Sequence, residues 1–393
     1  MLVADRERRI IAMSKSADAA NDPFADIRPY RDDEVVATLR RLLREPGLVN
    51  SLAAWKLPSL YKWAPVLARG VVQYWLRHRF LTLTSVDAVQ MQVKPLLDNM
   101  ISRTARLSVD GLESLDPTQS WLFISNHRDI TLDPALTNRV LHEAGHRTVM
   151  IAIGDNLLHE RWVADLMRLN KSFIVRRALS GPRELLAASR QLAEFIRTMI
   201  ADNQGPIWIA QREGRAKDGI DTTEPAVIKM LSLARDRKTE SIADVLPKLR
   251  IVPVAIAYEL DPCDAAKAAE RAAGAGYVKA DREDVLSIGR GITGQKGCVH
   301  LSFGTPLDGS QTDIDTVVDA IDRQILEHYR LYETALWAWQ RMERTHEVPA
   351  VTIHPGTVTR SEFEARIDAM PESHRMLALA MYANPLRRVL EAR

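Results

Sequence analysis

Trp121-Leu-Phe-Ile-Ser-Asn-His-Arg-Asp-Ile-Thr-Leu-Asp-Pro134 decides how the rest of the chain is read. The apolar run Trp121–Ile124 has the length and character of a buried strand. Ser125 and Asn126 follow, small polar residues where a strand gives way to a helix. His127 comes next, and Asp133 lies six positions further on. An imidazole at a strand end with a carboxylate nearby is the minimal equipment for taking a proton from a hydroxyl. Taken alone, the same residues also fit two ordinary polar side chains at a helix start.

Moving outward, the pattern recurs. Phe173-Ile-Val175 runs straight into Arg176 and Arg177. Ile207-Trp-Ile-Ala210 runs into a polar loop holding Glu213, Gly214, Arg215 and Lys217. Ile251–Ala257 is a further apolar run, with Pro253 inside it. Ligands of parallel α/β sheets bind beyond the carboxyl ends of the strands. One such sheet would carry His127, Arg176, Arg177, Glu213, Arg215 and Lys217 on one rim. Between these runs lie helical stretches at 133–145, 157–169 and 183–202, with further strands at 106–109, 148–153 and 298–303. The alternation predicts an α/β fold, a mainly parallel sheet flanked by helices, with helical N-terminal and C-terminal extensions.

These segments, in this order, resemble the motifs of the glycerolipid acyltransferase family, which includes glycerol-3-phosphate and 1-acylglycerol-3-phosphate acyltransferases. His127 and Asp133 correspond to its His-and-Asp motif, and Phe173-Ile-Val-Arg176 to its Phe-Ile-x-Arg segment. Glu213-Gly214-Arg215 corresponds to its Glu-Gly-x-Arg loop, and Val252-Pro253 to its Val-Pro strand. The likeness covers roughly residues 100–310. Two features depart from the family. Five residues separate His127 from Asp133 instead of four, which brings Asp129 in as another carboxylate. Gln211-Arg212 stands where many relatives have Phe-Pro.

The resemblance implies that His127 is a general base on an acceptor hydroxyl and that Asp133 fixes its tautomer and stabilises the imidazolium. Arg176, Arg177, Arg215 and Lys217 would grip a phosphate, and Glu213 and Gly214 would complete the substrate-binding loop. The donor would be an acyl thioester on coenzyme A or acyl carrier protein. The acceptor would be glycerol 3-phosphate or its 1-acyl form, in phospholipid synthesis, with no metal and no further cofactor. The two departures leave a different acceptor, an amino-lipid or a lysolipid, as an alternative, and the inserted residue also keeps open a non-catalytic lipid-binding relative.

The chain of 393 residues is long enough for one large or two modest domains, and its formal charge of +2 gives no general case for nucleic-acid binding. With only Cys263 and Cys298 there is neither a disulfide framework nor a Cys-rich zinc site. The charged N-terminus lacks the apolar stretch of a signal peptide, and no run reaches the ~18–20 apolar residues of a membrane span. These features predict a cytoplasmic enzyme, peripheral on the inner face of the membrane. The expected organisation is a disordered arm at 1–30, a helical region at 31–100, the catalytic domain at 101–310 and a helical extension at 311–393, with one long helix over 312–346. Ser51–Ser85 carries Lys56, Lys62, Arg69, Arg77 and Arg79 among Trp and Tyr, with no Asp or Glu. That composition suits an anionic membrane surface, or equally a helical pair whose aromatics are core. Gly289-Arg-Gly-Ile-Thr-Gly294 has dinucleotide-loop spacing without a preceding strand and reads as a hairpin or loop. His142 and His146 have no third ligand and read as exposed helix residues.

Overall fold

The computed structural model describes residues 22–392 apart from 159, 178, 237 and 278–282. Seven strands form one sheet: β1 (Ala105–Asp110), β2 (Leu122–Ser125), β3 (Met150–Gly154), β4 (Ser172–Val175), β5 (Ile207–Ala210), β6 (Ile251–Tyr258) and β7 (Gly297–Phe303). Their order is β1-β7-β6-β2-β5-β3-β4. β2 runs parallel to both β5 and β6, while β7 runs antiparallel to β6 and parallel to β1. The sheet is therefore mainly parallel, with helices flanking it and helical regions before and after it.

Burial follows from this order. Every residue of β2 and β6 is buried, because central strands covered on both faces must be apolar on both. β1, at the edge, is half-exposed. Phe123, Leu136, Val252, Ile256, Leu301 and Phe303 belong to one core cluster, with the rings of Phe123 and Phe303 edge to face at 5.3 Å.

The chain divides into two compact units, Met1–Val89 with Ile153–Phe195, and Gln90–Ala152 with Ile196–Arg393. The first holds the helices Asp32–Leu42, Pro46–Lys56, Pro58–Trp63 and Pro65–Phe80. Proline opens three of these four, where its missing N–H costs nothing. Residues 22–30, part of the expected disordered arm, are held in place: Ile27 is buried and its carbonyl accepts the Ile174 amide at 2.8 Å. Residues 1–21 lie outside the described residues.

Two elements differ from the sequence reading. The long helix expected over 312–346 is two helices, Ile314–His328 and Glu333–Glu343. The chain turns extended at Tyr329, whose ring lies against the Arg128 guanidinium at 5.6 Å. The glycine-rich stretch expected as a hairpin or loop falls largely within the helix Glu283–Thr293. Its Gly291 is a close-approach glycine, since a Cβ there would sit 2.2 Å from Asp129 Oδ2.

Candidate active site

The register of the central strands sets the site. Leu122 pairs with Ile207 and with Ile251, so β2 and β5 end together at Ser125 and Ala210, level with Val254, while β6 runs on to Tyr258. Beyond that edge the ladder continues through side chains and loops. The Asn126 amide both donates to the Ile256 carbonyl at 3.0 Å and accepts from the Ile256 amide at 2.8 Å. The Gln211 amide donates to Ser125 O at 2.8 Å, and the Ala216 amide to His127 O at 2.9 Å. The 211–217 loop is thus tied to the backbone of His127.

His127 Nδ1 lies 2.8 Å from Asp133 Oδ2. The same oxygen accepts the Arg128 amide at 2.6 Å and the Asp129 amide at 3.0 Å, and Oδ1 accepts the Tyr258 hydroxyl at 2.8 Å. Four donors surround a carboxylate of zero exposure. Burial by itself would push this carboxyl up. The His127 bond and charge and the two amides outweigh that and hold it below its ordinary value. Asp133 is therefore an anion at neutral pH, able to keep the imidazole oriented and to stabilise its protonated form.

The residue inserted ahead of Asp133 is absorbed by the turn itself. Asp129 Oδ1 accepts the amides of Thr131 and Leu132 at 2.9 and 2.8 Å, capping the start of the helix Leu132–Glu143. Burial, with Asp133 adding repulsion, raises the Asp129 carboxyl, whose hydrogen bonds among the described residues go to the Thr131 and Leu132 amides. The partner of His127 is Asp133.

His127 keeps 14% of its side-chain surface exposed, and Trp208 packs edge-on against the ring at 5.6 Å and 71°. Trp208 is itself fixed by its indole N–H, which donates to Ser125 Oγ at 3.0 Å. An imidazole with one nitrogen on a buried carboxylate, an apolar wall and partial access has the geometry that deprotonating a bound hydroxyl requires.

The remaining expected residues divide between the units. Glu213 and Gly214 are exposed on the loop beside His127, and Gly214 takes the left-handed φ of +74° that the tight turn requires. Arg215 donates to the neutral Ser287 Oγ at 2.7 Å, whereas Lys217 pairs with Glu270. Arg176 and Arg177 belong to the other unit, where Arg176 pairs with Asp26 and the Arg177 amide donates to Asp155. Sequence reasoning missed Tyr258, Trp208 and Asn126. The one available signal was a tyrosine ending an otherwise aliphatic buried strand, a hydroxyl that must find an acceptor.

Residues 106–257 match the family model described as Acyltransferase. That stretch takes in the His127–Asp133 pair and the Glu213–Lys217 loop, so this part of the chain is similar to acyltransferases. Among solved structures the chain is similar to the 1-acyl-sn-glycerophosphate (LPA) acyltransferase PlsC from Thermotoga maritima. The two are 15% identical with a TM-score of 0.34, over 71% of this chain and 95% of that one. No curated protein matches the chain.

Proposed function

We propose that the protein moves a fatty acyl group from acyl-CoA or acyl carrier protein to a hydroxyl of glycerol 3-phosphate or 1-acylglycerol 3-phosphate. The observation that carries this reading is the His127–Asp133 pair at the carboxyl end of β2, anchored to the loop of Glu213–Lys217. His127 Nε2 takes the proton of the acceptor hydroxyl as its oxygen attacks the thioester carbonyl. The tetrahedral intermediate collapses, the C–S bond breaks, and the thiolate takes the proton back from the imidazolium. Asp133 stays ionised throughout, as in a serine-hydrolase triad whose hydroxyl comes from the substrate.

Arg215 is the best-supported phosphate ligand, because among the described residues its guanidinium donates to a neutral hydroxyl, Ser287 Oγ, and its neighbour Ala216 is bonded to His127. Lys217 has its charge engaged by Glu270, and Arg176 by Asp26.

A peripheral membrane role fits the first unit. On the helix Pro65–Phe80, Ala68, Val72 and Leu76 are buried, while Leu67, Val71 and Tyr74 are 58, 46 and 75% exposed. Trp63 is 82% exposed. An apolar face of this kind beside five basic residues and no acidic ones suits an anionic lipid surface. Among the described residues no helix is long and apolar enough to cross a membrane.

The test offers labelled acyl-CoA and acyl carrier protein in turn with glycerol 3-phosphate, lysophosphatidate and a phosphate-free lysolipid. Product that requires a phosphate-bearing acceptor supports the reading. Equal transfer to the phosphate-free lysolipid replaces the acceptor class, and free fatty acid formed without any acceptor makes the protein a thioesterase instead.

A further inference from the structure

The residue after the base carries a feature that general-base chemistry does not require. Arg128 is a buried arginine, 6% exposed. Its Nη2 donates to Asp221 Oδ2 at 2.5 Å and to the Tyr329 hydroxyl at 3.2 Å. Asp221 Oδ2 also accepts the Asn126 amide at 3.3 Å, and the Asp221 carbonyl accepts from Arg388. The Arg128 carbonyl accepts Lys267 Nζ at 2.7 Å, and Lys267, 1% exposed, pairs with Asp261. Asn126 and Arg128 are therefore gripped by side chains from three other segments, Asp221, Lys267 and Tyr329.

The ion pair is not built for maximal stability. Among the described residues Arg128 Nε and Asp221 Oδ1 are buried without a hydrogen-bond partner, so the guanidinium and carboxylate meet at one nitrogen and one oxygen instead of in a two-point fork. A buried pair left partly unsatisfied is a poor source of folding energy. What it does provide is a fixed backbone. The Arg128 amide is one of the donors on Asp133 Oδ2, and Asp129 supplies the next.

We propose that Arg128, through its pair with Asp221, is a positioning residue for the His127–Asp133 dyad. It locks the turn whose amides hold the Asp133 carboxylate against the imidazole. The inference rests on the reading of His127 as the base. It concerns how this chain, with its extra residue between His and Asp, keeps the two in register. The Arg128 side chain is buried on Asp221 and Tyr329, so its effect falls on the rate of the chemical step, not on acceptor binding.

The experiment uses full-length protein carrying Arg128→Lys, the double replacement Arg128→Met with Asp221→Leu, and His127→Ala. Replacing both members of a buried pair by apolar residues avoids stranding one charge, so the double variant keeps its fold where a single removal can lose it. Arg128→Lys keeps the charge and is the second route if the double variant fails to fold. Because small misplacements of a catalytic group are costly, kcat is expected to fall about tenfold or more in the double variant and about threefold or more in Arg128→Lys. KM for the acceptor stays within about twofold, and thermal midpoints do not track the loss. Adding Arg128→Lys to His127→Ala produces no further loss, since the dyad it positions is already gone. A kcat within about twofold of wild type in either variant that folds overturns the proposal, as does a further loss in the His127→Ala background. If His127→Ala itself retains full activity, the reading of the base has failed, a separate result.

Discussion

His127 and Asp133 are joined at 2.8 Å across five intervening residues, and the turn between them supplies two of the four donors on the carboxylate. The conformation of the turn is what allows this. It lets Asp129 cap the helix through the amides of Thr131 and Leu132 while its own amide, with that of Arg128, points back at Asp133. One short loop thus performs two separate tasks with two adjacent-looking aspartates.

Asp133→Asn keeps the shape of the side chain and removes its charge. The amide cannot accept as an anion from His127 and Tyr258, so transfer should fall by about 10²–10⁴-fold, the range typical of an acid–base group. Stability should change with pH in a defined direction. The folded Asp133 carboxyl sits below its unfolded value, so its contribution is fully present above about pH 4 and is lost as pH falls from there toward the folded value. Urea midpoints of wild type and Asp133→Asn should therefore differ most at pH 7 and converge below about pH 4. A difference that stays constant with pH contradicts the assignment.

Tyr258→Phe removes one donor from the buried carboxylate and leaves Oδ1 unserved. A hydrogen bond to a charged group is worth about 1.5–3 kcal/mol, which sets the expected loss in equilibrium unfolding. Transfer should slow by less than in Asp133→Asn, because His127 and both backbone amides remain on the carboxylate. Wild-type stability in this variant would show that the hydroxyl is not on Asp133.

Arg215→Ala should raise KM for a phosphate-bearing acceptor by about ten- to a hundredfold, the value of one charge-assisted contact, with a smaller effect on kcat. Arg215→Lys should recover part of this, since a lysine keeps charge but not the forked geometry. Steady-state titration of the acceptor measures both. An unchanged KM would assign Arg215 to its structural bond with Ser287 alone.

Leu67→Glu with Tyr74→Glu places two charges on the exposed face of the helix Pro65–Phe80. Sedimentation with anionic vesicles should drop sharply, and wild-type binding should weaken with salt because the basic residues are screened. Transfer to a water-soluble acceptor should be unaffected. Vesicle binding equal to wild type would remove this face as the contact.

The chemistry-bearing strands were legible because central parallel strands must be apolar on both faces and end abruptly. Leu122–Ser125, Ile207–Ala210 and Ile251–Tyr258 stand out for that reason, and with them His127 and the Glu213–Lys217 loop. What stayed hidden depends on contacts distant in sequence. The break after His328 has neither proline nor glycine to announce it and coincides with Tyr329 meeting Arg128, 201 positions away. The helix Glu283–Thr293 carries two of the three glycines of 289–294, a stretch that read as a hairpin or loop; Gly291 is there because Asp129 leaves no room for a Cβ. Tyr258 and the Arg128–Asp221 pair could be read only once β2 and β6 were side by side.

The most direct measurement is acyl transfer by purified wild type beside His127→Ala, with labelled acyl thioester and a phosphate-bearing acceptor, checking both proteins for an intact fold. Removing a general base should cost about 10²–10⁴-fold in kcat while the acceptor still binds. Equal rates in the two folded proteins would mean that another group takes the proton, and the His127–Asp133 pair would lose its catalytic role.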